Sequence, residues 1–236
     1  MNDTPSQLPC MRPLAVIFDL DGTLVDSAAA IAKIGNKVLA EQGLPLLTEE
    51  EARGYVGNGA AKFIERALAA RGVTPEGAAL EAHVERFEAF YADAPGEDNV
   101  PYPGVDALVR ELHADGVKLG VCTNKPGAPT RTVIEAMGWI DLFGALVGGD
   151  ALPTRKPDPA PLHHCAALLE VDFADGAAVY VGDSEVDAAT AKAAGAPFAI
   201  FTEGYRKTPI AELPHDRSFS DYAQLGAILR EMTGAA

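Results

Sequence analysis

The chain has 236 residues, 48% of them apolar, enough for one sizeable core or a core with a smaller attached module. Its 19 basic and 34 acidic residues leave a formal charge of −15, which repels nucleic acid and anionic membranes at long range. An anionic small substrate is still compatible with that surface wherever a divalent cation supplies the local positive sign.

Three widely spaced cysteines with no CxxC pair argue against a disulfide framework and a cysteine-rich zinc site. Cys10 falls in a loose N-terminal tail, whereas Cys122 and Cys165 fall in apolar elements where a thiol packs as a core residue. No apolar run reaches ~18 residues. The opening MNDTPSQLPCMRP lacks a basic start followed by an apolar block, so no secretory signal is read and a cytoplasmic protein is expected.

In chain order, LAVIF at 14–18 reads as a fully buried strand. Residues 27–95 then contain no good strand and predict helices over about 28–42, 48–54, 59–71 and 75–94. Thr48 and Glu51 have capping-box spacing. Phe63, Ile64, Ala67 and Leu68 form one apolar stripe, and Leu80, Val84, Phe87 and Tyr91 form another. Gly43 and Gly72 mark helix ends, and DAPGEDNVPYPG is the linker out of this segment.

Further strands are predicted at 117–123, 145–150, 177–183 and 197–202, alternating with helical stretches. These stretches are GVDALVRELHADG, TRTVIEAMG, PLHHCAALLEV, SEVDAATAKAAG and a last amphipathic SDYAQLGAILREM. The expected fold is an α/β, Rossmann-like parallel sheet made of residues 12–26 and 96–236, with an all-helical cap at 27–95. An insertion directly after the first strand sits over the carboxyl end of the sheet, where it can close a site and exclude water.

The first strand ends in DLDGT. Asp19 and Asp21 are two nearby carboxylates that repel each other, so a compensating charge is needed. Mg²⁺, a hard cation that accepts carboxylate and carbonyl oxygens, supplies one. Gly22 allows a sharp turn and Thr23 adds a hydroxyl, while Asp26 followed by serine reads as the cap of the first inserted helix. Other strand ends carry matching groups: Thr123-Asn124-Lys125, then Arg155-Lys156-Pro157, then Asp183 and Asp187 in GDSEVD. Acids for a metal, with a hydroxyl and a lysine for an anion, are the parts needed for phosphoryl transfer.

The ordered set DLDGT, TN, K-P and GDSEVD resembles the haloacid dehalogenase-like hydrolase superfamily over about residues 14–230. The stretches VGNGAAKFIERAL, YPGV, TNKP, GGDALPTRKPDPAPL and EGYRKTP resemble the phosphoglycolate phosphatase family within it. The resemblance implies Asp19 as nucleophile, Asp21 as general acid/base, Thr123 and the Asn124 amide as phosphate ligands, and Lys156 as the neutralising cation. It also implies Mg²⁺ on Asp19, the Asp21 backbone carbonyl and Asp183, with Asp187 supporting the metal from behind those ligands or through water. The presence of Asp21 disfavours the dehalogenating relatives, which need neither the metal nor an acid there.

The resemblance therefore implies a magnesium-dependent phosphatase acting on 2-phosphoglycolate through an aspartyl-phosphate. The alternatives are a phosphatase of another small monoester, a β-phosphoglucomutase-like phosphomutase, and a non-catalytic phospho-ligand-binding protein. The expected partner is a small phosphorylated substrate, not nucleic acid or membrane, and the oligomeric state, monomer or homodimer, is open. In the cap, Gly57, Asn58 and Gly59 precede a helix whose N-terminus can face an anion. Lys62 lies in that helix's first turn, where it either reaches a substrate carboxylate or is solvated; Arg66 stands one turn further. Adjacent His163 and His164 point different ways and form no metal pair. Trp139 and Phe143 are expected to fill a helix–sheet junction.

Overall fold

Ala15–Phe18 (β1) carries four apolar side chains, all buried, and this two-faced burial places it in the middle of a parallel sheet. The computed structural model describes residues 15–94 and 96–233. Cys10, Leu14 and the start of the expected core at residue 12 lie outside that range. Val25–Asp26 (β2) leads into four helices: Ala28–Glu41 (α1), Glu49–Tyr55 (α2), Ala60–Ala69 (α3) and Ala78–Ala92 (α4). Val100–Pro101 (β3) follows, and then the alternation resumes with Val105–Ala114 (α5), Lys118–Cys122 (β4), Gly127–Ala136 (α6) and Phe143–Val147 (β5). Ala160–Leu168 (α7), Ala178–Gly182 (β6), Glu185–Ala194 (α8), Phe198–Phe201 (β7), Arg217–Phe219 (β8) and Tyr222–Met232 (α9) complete the order.

The six-stranded sheet runs β5-β4-β1-β6-β7-β8, and every pairing in it is parallel. Alternate residues of β1 serve opposite faces. Val16 and Phe18 join a core with Leu108, Val109, Ile134 and Leu225 from α5, α6 and α9. Ala15 and Ile17 join one with Leu162, Cys165 and Ala188 from α7 and α8. Trp139, fully buried, fills the junction between α6 and the sheet beside Phe143, and its indole donates to Asp106 at 2.8 Å. Truncating it to alanine should cost about 3–5 kcal/mol.

β1 lies between β4 and β6, the neighbours reached by opposite excursions of the chain. That makes the carboxyl end of β1 the switch point where open α/β sheets bind ligands. The cap helices hold a separate core of Ile34, Val38, Leu39, Phe63, Ile64, Leu68 and Phe87. Gly35 permits the close approach of α3, since a Cβ there would stand 2.7 Å from the Phe63 ring. The capping box at Thr48 and Glu51 is formed by both of its bonds.

Besides the unpredicted sixth strand β8, three features differ from the sequence expectation. β5 begins two residues earlier than expected and stops at Val147, because Phe143 packs on Phe18 and Trp139 while Gly148 and Gly149 run against the backbone of Gly127 and Asn124. β2 and β3 form an antiparallel ribbon, Val25 opposite Pro101, that binds the two cap linkers together. Two residues a side are too few to give a period.

The third difference is at the start of α1, where Ser27 makes no side-chain cap bond. The free amides of Ser27 and Ala28 instead donate to the Tyr205 hydroxyl at 2.7 and 3.0 Å, and Ala28 also to Asp26 at 3.2 Å. Asp26 in turn pairs with Arg53 of α2 at 2.6 Å. The acid at the hinge is therefore an anchor between hinge and cap. Among the described residues no helix is long and apolar enough to cross a membrane.

Candidate active site

β1 delivers Asp19 as the first residue past its end, and the Leu20 amide donates to the Asp19 carboxylate at 2.7 Å. β6 ends at Gly182, so Asp183 emerges beside Asp19 and the Ser184–Asp187 turn opens α8. One oxygen from each of Asp19, Asp183 and Asp187 lies within 4.8 Å of the other two, and all three residues are buried. The Lys156 ammonium, 1% exposed, stands 3.0 Å from Asp19 and 2.7 Å from Asp187.

Asp187 is the most heavily partnered of the three acids. One oxygen accepts from Lys156 and from the Tyr180 hydroxyl at 2.6 Å. The other accepts from the amides of Asp183 and Ser184 and from the Ser184 hydroxyl. Burial works against its charge, but Lys156, Ser184 and Tyr180 outweigh it and keep its carboxyl below the ordinary range. Asp183 accepts from the Thr23 hydroxyl at 2.7 Å and from the Tyr205 amide at 2.6 Å. Gly22 and Gly204 flank it closely, and a Cβ on Gly204 would stand 2.3 Å from the Asp183 Cβ.

Burial pushes Asp19 up to about 6, against the pull of Lys156 and with the help of Asp187 and Asp21. Burial, then Asp187 and Asp19, push Asp183 well above the usual carboxylate range. Three buried carboxylates against one ammonium leave about two negative charges uncompensated, and the donors are hard oxygens. A hard dication is what that set fits, and Mg²⁺ is the cofactor of the site.

Thr123 and Asn124 follow β4 and wall the cavity beside Asp19. The Asn124 carboxamide donates to the carbonyls of Gly57 in the cap and Lys156 in the core, so it clasps the cap to the sheet's edge. Asp21 is paired with Lys125 at 2.8 Å, and both side chains are nearly buried. Burial opposes the Lys125 charge, but Asp21 overcomes it and raises the lysine above its ordinary value.

Gly57 and Gly59 line the cavity between cap and core, with backbone φ of 109° and 84° that glycine adopts freely. Asn58 lines a second opening beside Asp183 and accepts from Arg66 at 2.8 Å, so Arg66 orders the turn. Lys62 is not brought to either opening. Its ammonium pairs with Glu65 at 2.7 Å and is about half exposed, because the first turn of α3 projects that position outward. Lys125, read from the sequence only as part of the Thr123-Asn124-Lys125 strand end, is bound to Asp21, and Tyr180, Ser184 and Tyr205 join the site without having been given a role by the sequence. Ser184-x-x-Asp187 carries a readable capping-box spacing, whereas the others come from strand interiors and distant loops.

The model of the haloacid dehalogenase-like hydrolase family matches residues 16–201. A phosphoglycolate phosphatase of Cereibacter sphaeroides is 49% identical over 218 residues, covering 92% of this chain and 98% of that protein. One of Rhodospirillum rubrum is 46% identical over 218 residues, covering 91% and 90%. The crystal structure of a predicted phosphoglycolate phosphatase from Haemophilus somnus superposes with a TM-score of 0.80 at 31% identity, covering 91% of this chain and 96% of that one. The chain belongs to the haloacid dehalogenase-like hydrolases, in their phosphoglycolate phosphatase family.

Proposed function

We propose that this protein hydrolyses 2-phosphoglycolate to glycolate and phosphate in the cytoplasm, through an aspartyl-phosphate on Asp19. The observation that carries the reading is Asp19 at the switch point, 3.0 Å from Lys156, with Asp21 two residues on and the cap above. The names of the relatives over nearly the whole chain support the substrate.

An Asp19 carboxylate oxygen attacks phosphorus, and the bond from phosphorus to the ester oxygen breaks. Asp21 gives its proton to the departing glycolate oxygen. Asp21, now a carboxylate, takes a proton from water; the water oxygen attacks phosphorus, the bond to Asp19 breaks, and inorganic phosphate leaves. Lys156 carries a positive charge beside Asp19 throughout, because burial, which opposes that charge, is outweighed by Asp187 and Asp19. It thereby offsets the charge that develops on the phosphoryl oxygens. Thr123 and the Asn124 amide hold those oxygens in line.

Asp19, Asp183 and the Asp21 backbone carbonyl would hold Mg²⁺. Asp187, whose oxygens are occupied by Lys156, Tyr180 and Ser184, supports the ion from behind. The ion when bound supplies positive charge to the phosphate. Helices α1–α4, within residues 27–95, act as the cap that excludes water.

The test is inorganic phosphate release from a panel of small monoesters, with and without Mg²⁺. Preferred, Mg²⁺-dependent release from 2-phosphoglycolate is expected. Release that requires a sugar bisphosphate activator, or no release from any ester, would overturn the reading.

A further inference from the structure

The cavity between cap and core has two unlike ends. Asp19, Thr123 and Asn124 lie at one. The cap side is apolar, with Ile31, Val56, Phe63 and Phe87 in its wall. Two polar groups interrupt that wall. The Lys125 ammonium donates a hydrogen bond to Asp21 at 2.8 Å and lies 4.8 Å from the centre of the Tyr91 ring. The Tyr91 hydroxyl, brought in from α4, is buried beside Lys125, and its own O–H finds no acceptor among the described residues. Burial pushes this phenol up to about 12, with Lys125 pulling the other way, so it is a proton donor at neutral pH. A buried donor without a partner calls for an explanation, and most such groups in folded proteins are satisfied.

We propose that Lys125 and the Tyr91 hydroxyl together bind the non-reacting carboxylate of the substrate. This rests on the reading of the chain as a phosphatase of a phosphorylated two-carbon acid. The position follows from the chemistry. Asp21 serves the ester oxygen, and in 2-phosphoglycolate a single methylene separates that oxygen from the carboxylate. A cation bonded to Asp21 is therefore within reach of the carboxylate of a substrate this short, and Tyr91 supplies a second donor from the cap. The same pair selects for length, because each added methylene moves the carboxylate away from Lys125 into the apolar wall. An acid group met by a charged donor and a neutral one also ties substrate binding to cap closure, since the two donors come from the two sides of the cavity.

The experiment compares kcat/KM for 2-phosphoglycolate with that for ethyl phosphate, which has the methylene but no carboxylate, in wild type and in Tyr91→Phe. The substitution removes one hydroxyl whose O–H has no acceptor and keeps the ring in its contacts with Phe87 and Lys125. The 2-phosphoglycolate to ethyl phosphate ratio should fall roughly tenfold, with the loss in KM for 2-phosphoglycolate. Lys125→Met should lower the ratio as well, and should also lower kcat for both esters by releasing Asp21. A change in the ratio of less than about threefold in Tyr91→Phe overturns the assignment, and a larger fall supports it. A wild type with no preference for 2-phosphoglycolate over ethyl phosphate overturns the functional reading itself, and this site with it.

Discussion

Lys156→Met removes the ammonium that stands among three buried carboxylates while nearly preserving the side chain's volume. The lysine lies 3.0 Å from Asp19 and 2.7 Å from Asp187, with its own side chain 1% exposed and that of Asp187 fully buried. Leaving one member of a buried pair uncompensated costs about 3–5 kcal/mol. In a chain of this size each kcal/mol moves the melting temperature by about 2–4 °C, so the metal-free variant should melt about 6–20 °C below metal-free wild type. Adding Mg²⁺ returns a positive charge to the same carboxylates. Saturation at a hundred times Kd is worth about 2.7 kcal/mol by mass action. The variant, which has more uncompensated charge, should gain more than wild type does. Differential scanning fluorimetry in EDTA and in MgCl₂ measures both. A metal-free difference under about 2 °C, or equal gains from Mg²⁺, would refute the charge account of the site.

Gly204→Ala should lower Mg²⁺ affinity by about 10- to 100-fold, because the added Cβ would meet the Asp183 side chain and displace it; calorimetric titration with MgCl₂ reads this, and an unchanged Kd would mean Asp183 does not hold the ion. Asp26→Asn tests the hinge by pH. Burial tends to raise this carboxyl, but Arg53 and Tyr205 outweigh it and hold it below its usual 3.8. A lowered carboxylate contributes stability above its unfolded pKa and loses it as pH falls through the folded value. The wild-type advantage, under about 1 kcal/mol for so open a pair, should hold at neutral pH and fade below about 4. A difference that persists unchanged to the lowest pH would contradict this.

The core was legible because its signals are local. Four-to-five-residue apolar runs ending in Asp, Thr or Gly-Asp mark both the strands and the groups they present, so Asp19, Thr123, Asn124, Lys156, Asp183 and Asp187 could be placed by chain order. What was not legible depends on distant contacts. Tyr205 lies 178 residues from Ser27, yet its hydroxyl takes the first amides of α1 while its own amide holds Asp183. The Asp21–Lys125 pair spans 104 positions and exists only because β1 and β4 are neighbours. Lys62 shows the opposite limit. A basic residue in the first turn of a helix near the site looks like a ligand, but whether that turn faces the cavity or solvent is decided by how α3 packs in the cap.

The proposed hydrolysis depends on covalent attachment of the phosphoryl group to Asp19. Acid-quenching wild type during Mg²⁺-dependent turnover of 2-phosphoglycolate, followed by peptide mass spectrometry, should find a phosphoryl adduct on the peptide that contains Asp19. Asp19→Asn should show neither adduct nor phosphate release. Substantial release by a clean preparation of Asp19→Asn, or an adduct on another residue, would contradict the account.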